Sequence, residues 1–461
     1  MRSAGLLAAF LLLTGCVGPR PAIPVQAAIV APPVWRTALG PGAPIRADWW
    51  QVFGDPVLAR LVERALANSP DLGSAAARVE EARALARLAR AQLSPLATAG
   101  APLSDGRALN PFGVPTTNFG AQPALQVSYD LDLFGRLRDA SAAARAQALA
   151  SDASRDAVRL GIVAGVASGY VTLRALDLRL TVARETLAAR AEGLRIARRR
   201  AETGYTSNLE LRQAEAEYRA TEQLVPQAQL AISRQENALS LLVGDTPGAI
   251  PRGLALDALT TPPVPDGLPA DLLRRRPDLF SAEQALVAAD RSLDSARAAL
   301  LPNLALTGSA GLVLSTALSN PVGVFSLGAS VLSPLFDGGR LRAQADASVG
   351  RRDQAGFAYR RAALVAFREV DDGLAGVLRS GEQAIALARQ RDALAGALRN
   401  ASNRYRAGYS AYLDQLDAQR GLLQAELALV QARADRLNAY VSLYQALGGG
   451  WSPADVDATR R

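Results

Sequence analysis

Residues Arg199-Arg200-Ala201-Glu202-Thr203-Gly204-Tyr205-Thr206-Ser207-Asn208-Leu209-Glu210 return, altered, as Asn403-Arg404-Tyr405-Arg406-Ala407-Gly408-Tyr409-Ser410-Ala411-Tyr412-Leu413-Asp414. Each copy is a Gly-Tyr turn between two long stretches of helical pattern. Glycine suits the left-handed position that ends a helix. Ser207 or Asn208 in the first copy, and Ser410 in the second, are placed to cap the returning helix. Each copy therefore reads as the tip of a long helical hairpin. Gly204 and Gly408 lie 204 residues apart. An echo at so long a spacing indicates a duplicated half-chain rather than a solenoid.

Working outward from the tips, the segment Leu137 to Thr203 contains no Pro. Leu173, Leu180, Leu187 and Leu194 recur every seven residues, with Leu176 and Ala183 at the partner spacing. Leu416, Leu423, Val430, Leu437 and Tyr444 repeat the device near the C-terminus. A seven-residue repeat keeps one seam against a neighbour and predicts left-handed supercoiling. An unbroken helix of that length would run for about 100 Å, too long for a compact globular domain. Leu341 to Arg406 is a second Pro-free run, in which Gly356, Gly373, Gly376 and Gly396 argue against a perfectly straight helix.

Before each long helix the period changes. From Phe119 to Leu131, apolar odd positions alternate with polar even ones such as Gln122, Gln126, Ser128 and Asp130. Residues 93 to 104 alternate more weakly, and Asp105 to Asn118 reads as the loop between. Later, Leu304, Leu306, Ala310, Leu312 and Leu314 form one alternating face, and Phe325, Leu327, Ala329 and Val331 another, with Ser319-Asn320-Pro321 between them. Each half thus carries one hairpin of roughly ten-residue strands, the length of a transmembrane β-strand.

The N-terminus is a targeting segment. Met1-Arg2 is followed by the apolar run Leu6 to Leu13, too short to span a bilayer as a mature helix, and then by Leu13-Thr14-Gly15-Cys16. That pattern resembles a bacterial lipoprotein signal, which implies acylation of Cys16, the only Cys in the chain. Val17 in place of Asp favours, by the same resemblance, release to the outer membrane. The expected organisation is a signal at 1–15, an extended Pro- and Ala-rich tether at 16–47 and a first repeat at 48–260. That repeat has its β-hairpin at about 93–132 and its tip at 204. A second repeat at 261–450 has its β-hairpin at about 301–336 and its tip at 408, and a tail at 451–461 follows.

Composition narrows the function. The 461 residues carry a net charge of +8, with no His and no Lys, so every basic group is an Arg or the amino terminus. These Arg are interleaved with Asp and Glu on helical patterns, which speaks for solvated helix faces and against nucleic acid. Without His, and with the single Cys assigned to lipid, the common catalytic triads and zinc sites are excluded. Gly338-Gly339 lacks the Lys and the spacing of a phosphate loop and reads as a strand-to-helix hinge. The expectation is no enzyme and no cofactor.

A set of motifs then resembles one family, the TolC-like outer-membrane efflux factors, in their lipoprotein branch. The motifs are Trp49-Trp50 with Phe53-Gly54-Asp55-Pro56, Arg275-Arg276-Pro277-Asp278-Leu279, Leu301-Pro302-Asn303, Leu335-Phe336-Asp337-Gly338-Gly339-Arg340-Leu341, Ala366-Phe367-Arg368-Glu369-Val370 and Leu413-Asp414-Gln415-Leu416-Asp417. Leu300-Leu301-Pro302 departs from a family preference for aromatics there. Asp290-Arg291-Ser292-Leu293-Asp294 is more charged than the family pattern.

The resemblance implies a mixed α+β membrane protein and a homotrimer. Three chains of four strands would close one twelve-stranded barrel in the outer membrane, continued by an α-helical coiled-coil barrel in the periplasm. It implies a passive exit duct of a tripartite efflux pump, served by a periplasmic adaptor and an inner-membrane pump of the RND type. A type I protein-secretion duct of the same fold and a periplasmic coiled-coil adaptor lipoprotein are the alternatives. Asp414 and Asp417 match the family's periplasmic constriction, where three copies would form a ring of carboxylates. Glu210, Arg404, Tyr405, Arg406 and Tyr409 become candidates for a lock that holds the tip closed. Gly204, Tyr205, Gly408 and Tyr409 become the tip surface offered to the adaptor. The cargo is not legible. With one Met and no His, soft-metal ligands are lacking.

Overall fold

The computed structural model describes residues 18–37, 44–109, 111–264 and 269–453. The signal at 1–15, Cys16 and most of the tail at 451–461 lie outside the described residues. In chain order the elements are α1 (Pro56–Asn68), α2 (Pro70–Ala91), β1 (Leu96–Gly100), β2 (Leu103–Leu109), β3 (Pro115–Ala121), β4 (Ala124–Asp130), α3 (Arg136–Glu202), α4 (Asn208–Glu222), α5 (Leu224–Val243), α6 (Pro269–Arg275), α7 (Pro277–Ala298), β5 (Asn303–Ser315), β6 (Val322–Leu332), α8 (Arg340–Arg406) and α9 (Tyr412–Ala446). α3 and α8 are each 67 residues long. The glycines inside α8 do not break it. The first returning arm is broken where the sequence predicted continuous helix: α4 and α5 meet at Gln223. Pro226, in the first turn of α5, has no N–H to donate to the preceding turn.

The chain divides into two compact units. One draws on Met1–Ile29, Ala77–Asp152 and Ser281–Ala362, the other on Val30–Ala76, Ala153–Phe280 and Ala363–Arg461.

The first unit holds the sheet. β1 and β2 are one strand interrupted at Ala101-Pro102, and β3 and β4 one strand interrupted at Gln122-Pro123. Proline cannot donate to the ladder, so the regular pattern stops there. Its carbonyl still pairs: Gln122 N donates to Pro102 O at 3.0 Å and Leu312 N to Pro123 O at 2.9 Å. The sheet is antiparallel throughout. β1 pairs with β4, β2 with β3, β5 with both β4 and β3, and β6 with β5. Most of the stretch from Asp105 to Asn118, expected as loop, is strand. Asp105 faces Phe119 and Leu109 faces Pro115 in register. Cross-strand pairing within the hairpin overrides the local Gly and Pro content there, and Pro115 is tolerated because it begins its strand.

Residues 18–29, expected as an extended tether, form no helix or strand apart from the short 3-10 turn Val25–Ala27. Arg20 donates to Asp290 at 2.8 Å and to Asp294 at 2.9 Å. Arg297 donates to Gly18 O at 2.7 Å, and the buried Arg352 to Pro21 O at 2.6 Å and Ala22 O at 3.0 Å. The unusual charges at 290 and 294 are thus the dock for this segment.

The second unit is helical and built around aromatic and small residues. Trp49 and Phe53 are fully buried, and Trp49 stacks on Tyr444 with ring centroids 5.4 Å apart. Asp55 caps α1 by accepting from Val57 N at 2.8 Å. The same carboxylate takes the Tyr170 hydroxyl and Leu254 N, both at 2.8 Å, and Gly253 N donates to Tyr170 Oη at 2.8 Å. Burial first, and the bond to Asp55 second, push the Tyr170 hydroxyl up to about 12. Arg276 ties three elements together. It donates to Asp278 and to Glu369 at 2.7 Å each, and to Ala446 O at 2.9 Å.

Candidate functional site

Both tips close as the glycine spacing predicts. Gly204 has φ 73° and Gly408 φ 80°. Tyr205 N donates to Arg200 O at 2.8 Å and Tyr409 N to Arg404 O at 2.9 Å. That six-residue closure is a Schellman turn, in which the glycine takes the left-handed position. Ser207 then caps α4, accepting from Glu210 N at 3.4 Å. Ser410 does not cap α9. The cap position is Ala411, and the Ser410 hydroxyl is buried with no hydrogen-bond partner among the described residues. The echo aligns Ser207 with Ala411, so the cap fell one residue later than expected.

Of the five lock candidates, two meet. Tyr405 Oη donates to Glu210 Oε2 at 3.1 Å, joining the last turn of α8 to the first turn of α4. The Tyr405 ring tilts against Tyr412 at 5.4 Å, and the Arg200 guanidinium lies over it at 5.2 Å. Tyr412 and Leu416 are buried with Ala197 and Ala214, and Leu194, Leu211 and Tyr405 pack on them. Burial, and then the Glu210 charge, raise the Tyr405 hydroxyl above its ordinary pKa. Arg404, Arg406, Tyr205 and Tyr409 are exposed, and Arg404 and Arg406 have no ion pair among the described residues.

Asp414 and Asp417 are both exposed on the first turns of α9. Asp417 lies 3.9 Å from the Arg420 guanidinium. Beneath them runs a charge ladder that sequence reasoning missed. Arg420 Nε donates to Glu217 Oε1 at 2.7 Å. Glu217 Oε2 stands 3.2 Å from Arg190 Nη1, close enough to pair though not aligned as a hydrogen bond. Only 4% of the Arg190 side chain is exposed, and burial draws its pKa down against the opposing pull of Glu217. The bond to Glu217 raises that of Arg420. One signal was available in the sequence. Arg190 follows Leu187 by three residues and precedes Leu194 by four, so it occupies a seam position where apolar residues belong. The ladder joins α3 and α4 of the first hairpin to α9 of the second.

Long paired hairpins and a four-stranded antiparallel sheet define a class of periplasm-spanning outer-membrane channels, and the comparisons agree. Residues 61–245 and 268–449 match the family model described as outer membrane efflux protein. The chain is 37% identical over 420 residues to the solvent efflux pump outer membrane protein SrpC of Pseudomonas putida, covering 87% of each. It is 35% identical over 472 residues to the pyoverdine export outer membrane protein OpmQ of Pseudomonas aeruginosa, covering 98% of this chain and 97% of that protein. Its fold matches the outer-membrane channel OprN with a TM-score of 0.87 at 29% identity, over 95% of this chain and 100% of that one. This chain belongs to the outer membrane efflux protein family. It is an outer-membrane channel of an efflux system.

Proposed function

We propose that the chain is the passive exit duct of a tripartite pump, working as a homotrimer whose periplasmic tip is the gate. The sheet supports the trimer. β1 and β2 at one edge and β6 at the other have no further strand beside them among the described residues. An open edge in lipid leaves backbone groups unpaired, and three such sheets close a twelve-stranded barrel without edges. Acylated Cys16 adds a second hold on the outer membrane.

The observation that carries the gate is the Tyr405–Glu210 bond together with the Arg190–Glu217–Arg420 ladder. Both tie the second hairpin to the first. In the trimer, Asp414 and Asp417 gather near the axis, where like charges repel, and these ties hold the tip against that repulsion. A periplasmic adaptor seated on Gly204, Tyr205, Gly408 and Tyr409 opens it by binding the open form more tightly, since a ligand shifts an equilibrium only by its differential affinity. An RND-type pump supplies the cargo, which consists of small organic molecules. That class covers the solvent and the pyoverdine named for the two relatives.

Planar-bilayer recording tests the gate. Asp414→Asn with Asp417→Asn weakens cation preference and block by multivalent cations. Unchanged ion selectivity in the double variant would remove both carboxylates from the constriction.

A further inference from the structure

The duplication places the same sequence at both strand-to-helix junctions of the first unit: Gly135-Arg136-Leu137-Arg138 and, 204 residues on, Gly339-Arg340-Leu341-Arg342. In each, an aspartate caps the long helix. Asp132 accepts from Leu137 N and Arg138 N at 2.9 Å each, and Asp337 from Gly339 N at 3.0 Å and Leu341 N at 2.9 Å. A cavity of about 420 Å³ lies between the two junctions, lined by Arg136, Arg340, Leu133, Phe134, Leu332 and Pro334 among others.

The guanidiniums around this cavity differ in their partners. Arg138 pairs with Asp132 at 3.3 Å. The bond from Leu341 N lowers the pKa of the Asp337 carboxyl, and Arg340 lies near enough to help lower it without bonding to it. Asp132 and Asp337 are committed to the helix ends. Arg136 meets Asp130 at a long 3.4 Å. The Arg340 side chain has no hydrogen bond or ion pair among the described residues. Beside it, Leu335 and Phe336 are 96% and 93% exposed, and Leu133 is 57% exposed. An unpaired guanidinium at a cavity mouth flanked by bare apolar side chains fits an anionic amphiphile, not a simple ion. A cavity of this size holds a headgroup.

We propose that this cavity binds the phosphodiester of a membrane phospholipid, with Arg340 as the principal ligand and Arg136 as the second. Guanidinium presents a planar fork to two phosphate oxygens. The acyl chains lie along Leu335, Phe336 and the outer face of β6. The junction lies where the strands give way to the helices, which is the headgroup level if the strands cross the bilayer. The proposal rests on that membrane reading.

The test is native mass spectrometry of the delipidated, assembled channel titrated with phosphatidylglycerol, with diacylglycerol and glycerol phosphate as separate arms. The wild type binds phosphatidylglycerol in preference to both. Arg340→Gln weakens that binding about tenfold, and Arg340→Lys weakens it less. Leu335→Ser with Phe336→Ser weakens the lipid but not glycerol phosphate, and stands in should the Gln variant fail to assemble. Equal binding by wild type and Arg340→Gln, or by diacylglycerol and phosphatidylglycerol, overturns the site. Glycerol phosphate binding as tightly as the lipid makes it a free-phosphate site and overturns the lipid assignment. Insertion of the wild type into bilayers is scored separately. Its failure would overturn the membrane reading, whereas insertion without a phosphate preference overturns this site alone.

Discussion

Gly169 faces Leu239 so closely that a methyl group at 169 would stand 2.8 Å from Leu239 Cδ2. The relationship repeats 204 residues later, where a methyl on Gly373 would stand 3.2 Å from Leu443 Cα. In both hairpins of the second unit, a glycine on the outgoing helix lets the returning helix approach at a leucine. The duplication is therefore visible in packing as well as in the tips.

The two glycines differ in how they tolerate a side chain. At 169 the obstacle is the end of a flexible leucine, and at 373 it is backbone. Gly373→Val overpacks the contact and costs about 1–3 kcal/mol. Gly193→Ala, in α3 with nothing within 4 Å, gains up to about 1 kcal/mol of helix propensity. Thermal melts followed by helical circular dichroism should move in opposite directions for the two variants.

Tyr405→Phe deletes the hydrogen bond to Glu210 and keeps the ring against Tyr412. A hydrogen bond to a charged group contributes about 1.5–3 kcal/mol net. The open fraction of single channels should rise about tenfold or more, a shift of that size in the gating equilibrium. An open probability equal to that of the wild type would show that the bond does not report on gating.

Glu217 carries more than Tyr405, because among the described residues it is the only ion-pair partner of the buried Arg190. Glu217→Gln leaves Arg190 uncompensated, at about 3–5 kcal/mol when one member of a buried pair is removed. Arg420→Ala removes a partner that is half exposed, and its effect falls below about 1 kcal/mol. The order expected for loss of tip stability, read by protease cleavage near the turns, is Glu217→Gln well before Arg420→Ala. The reverse order would place the strength of the ladder at the surface.

Tyr170 predicts an alkaline limit. Its folded pKa is about 12, against an ordinary value of 10.0. The folded state therefore favours the neutral hydroxyl. The resulting stabilisation is whole below pH 10 and is lost as the pH rises through about 12. Melting temperature should fall across that interval in the wild type. In Tyr170→Phe this component of the fall is absent, on top of a lower starting stability, because Gly253 N loses its acceptor and Asp55 loses one of its three donors. Parallel curves for the two proteins would mean that another group sets the limit.

The adaptor alternative gives way on particulars. The chain has two helical hairpins and a four-stranded sheet, and the family match spans both halves. Two local readings failed. The stretch from Asp105 to Asn118 contains Gly and Pro that locally favour a loop, yet pairing between Leu103–Leu109 and Pro115–Ala121 makes most of it strand. The break at Gln223 went unnoticed because Pro226 sits inside an otherwise regular helical pattern.

From the sequence alone came the duplication, the tip glycines, the Pro-free long helices, the two β-hairpins and the family. These are properties of spacing: period, turn chemistry and echo are written along the chain and need no knowledge of what lies opposite. Tertiary structure alone decided which charges matter. Asp290 and Asp294 hold Arg20, Tyr405 and not Arg404 or Arg406 meets Glu210, and Arg190, Glu217 and Arg420 form a ladder. A helical sequence places a charge on a face but does not say whether water or another helix covers that face. An arginine in solvent and one nearly sealed beside a glutamate have the same local sequence, and only the packing of distant segments separates them.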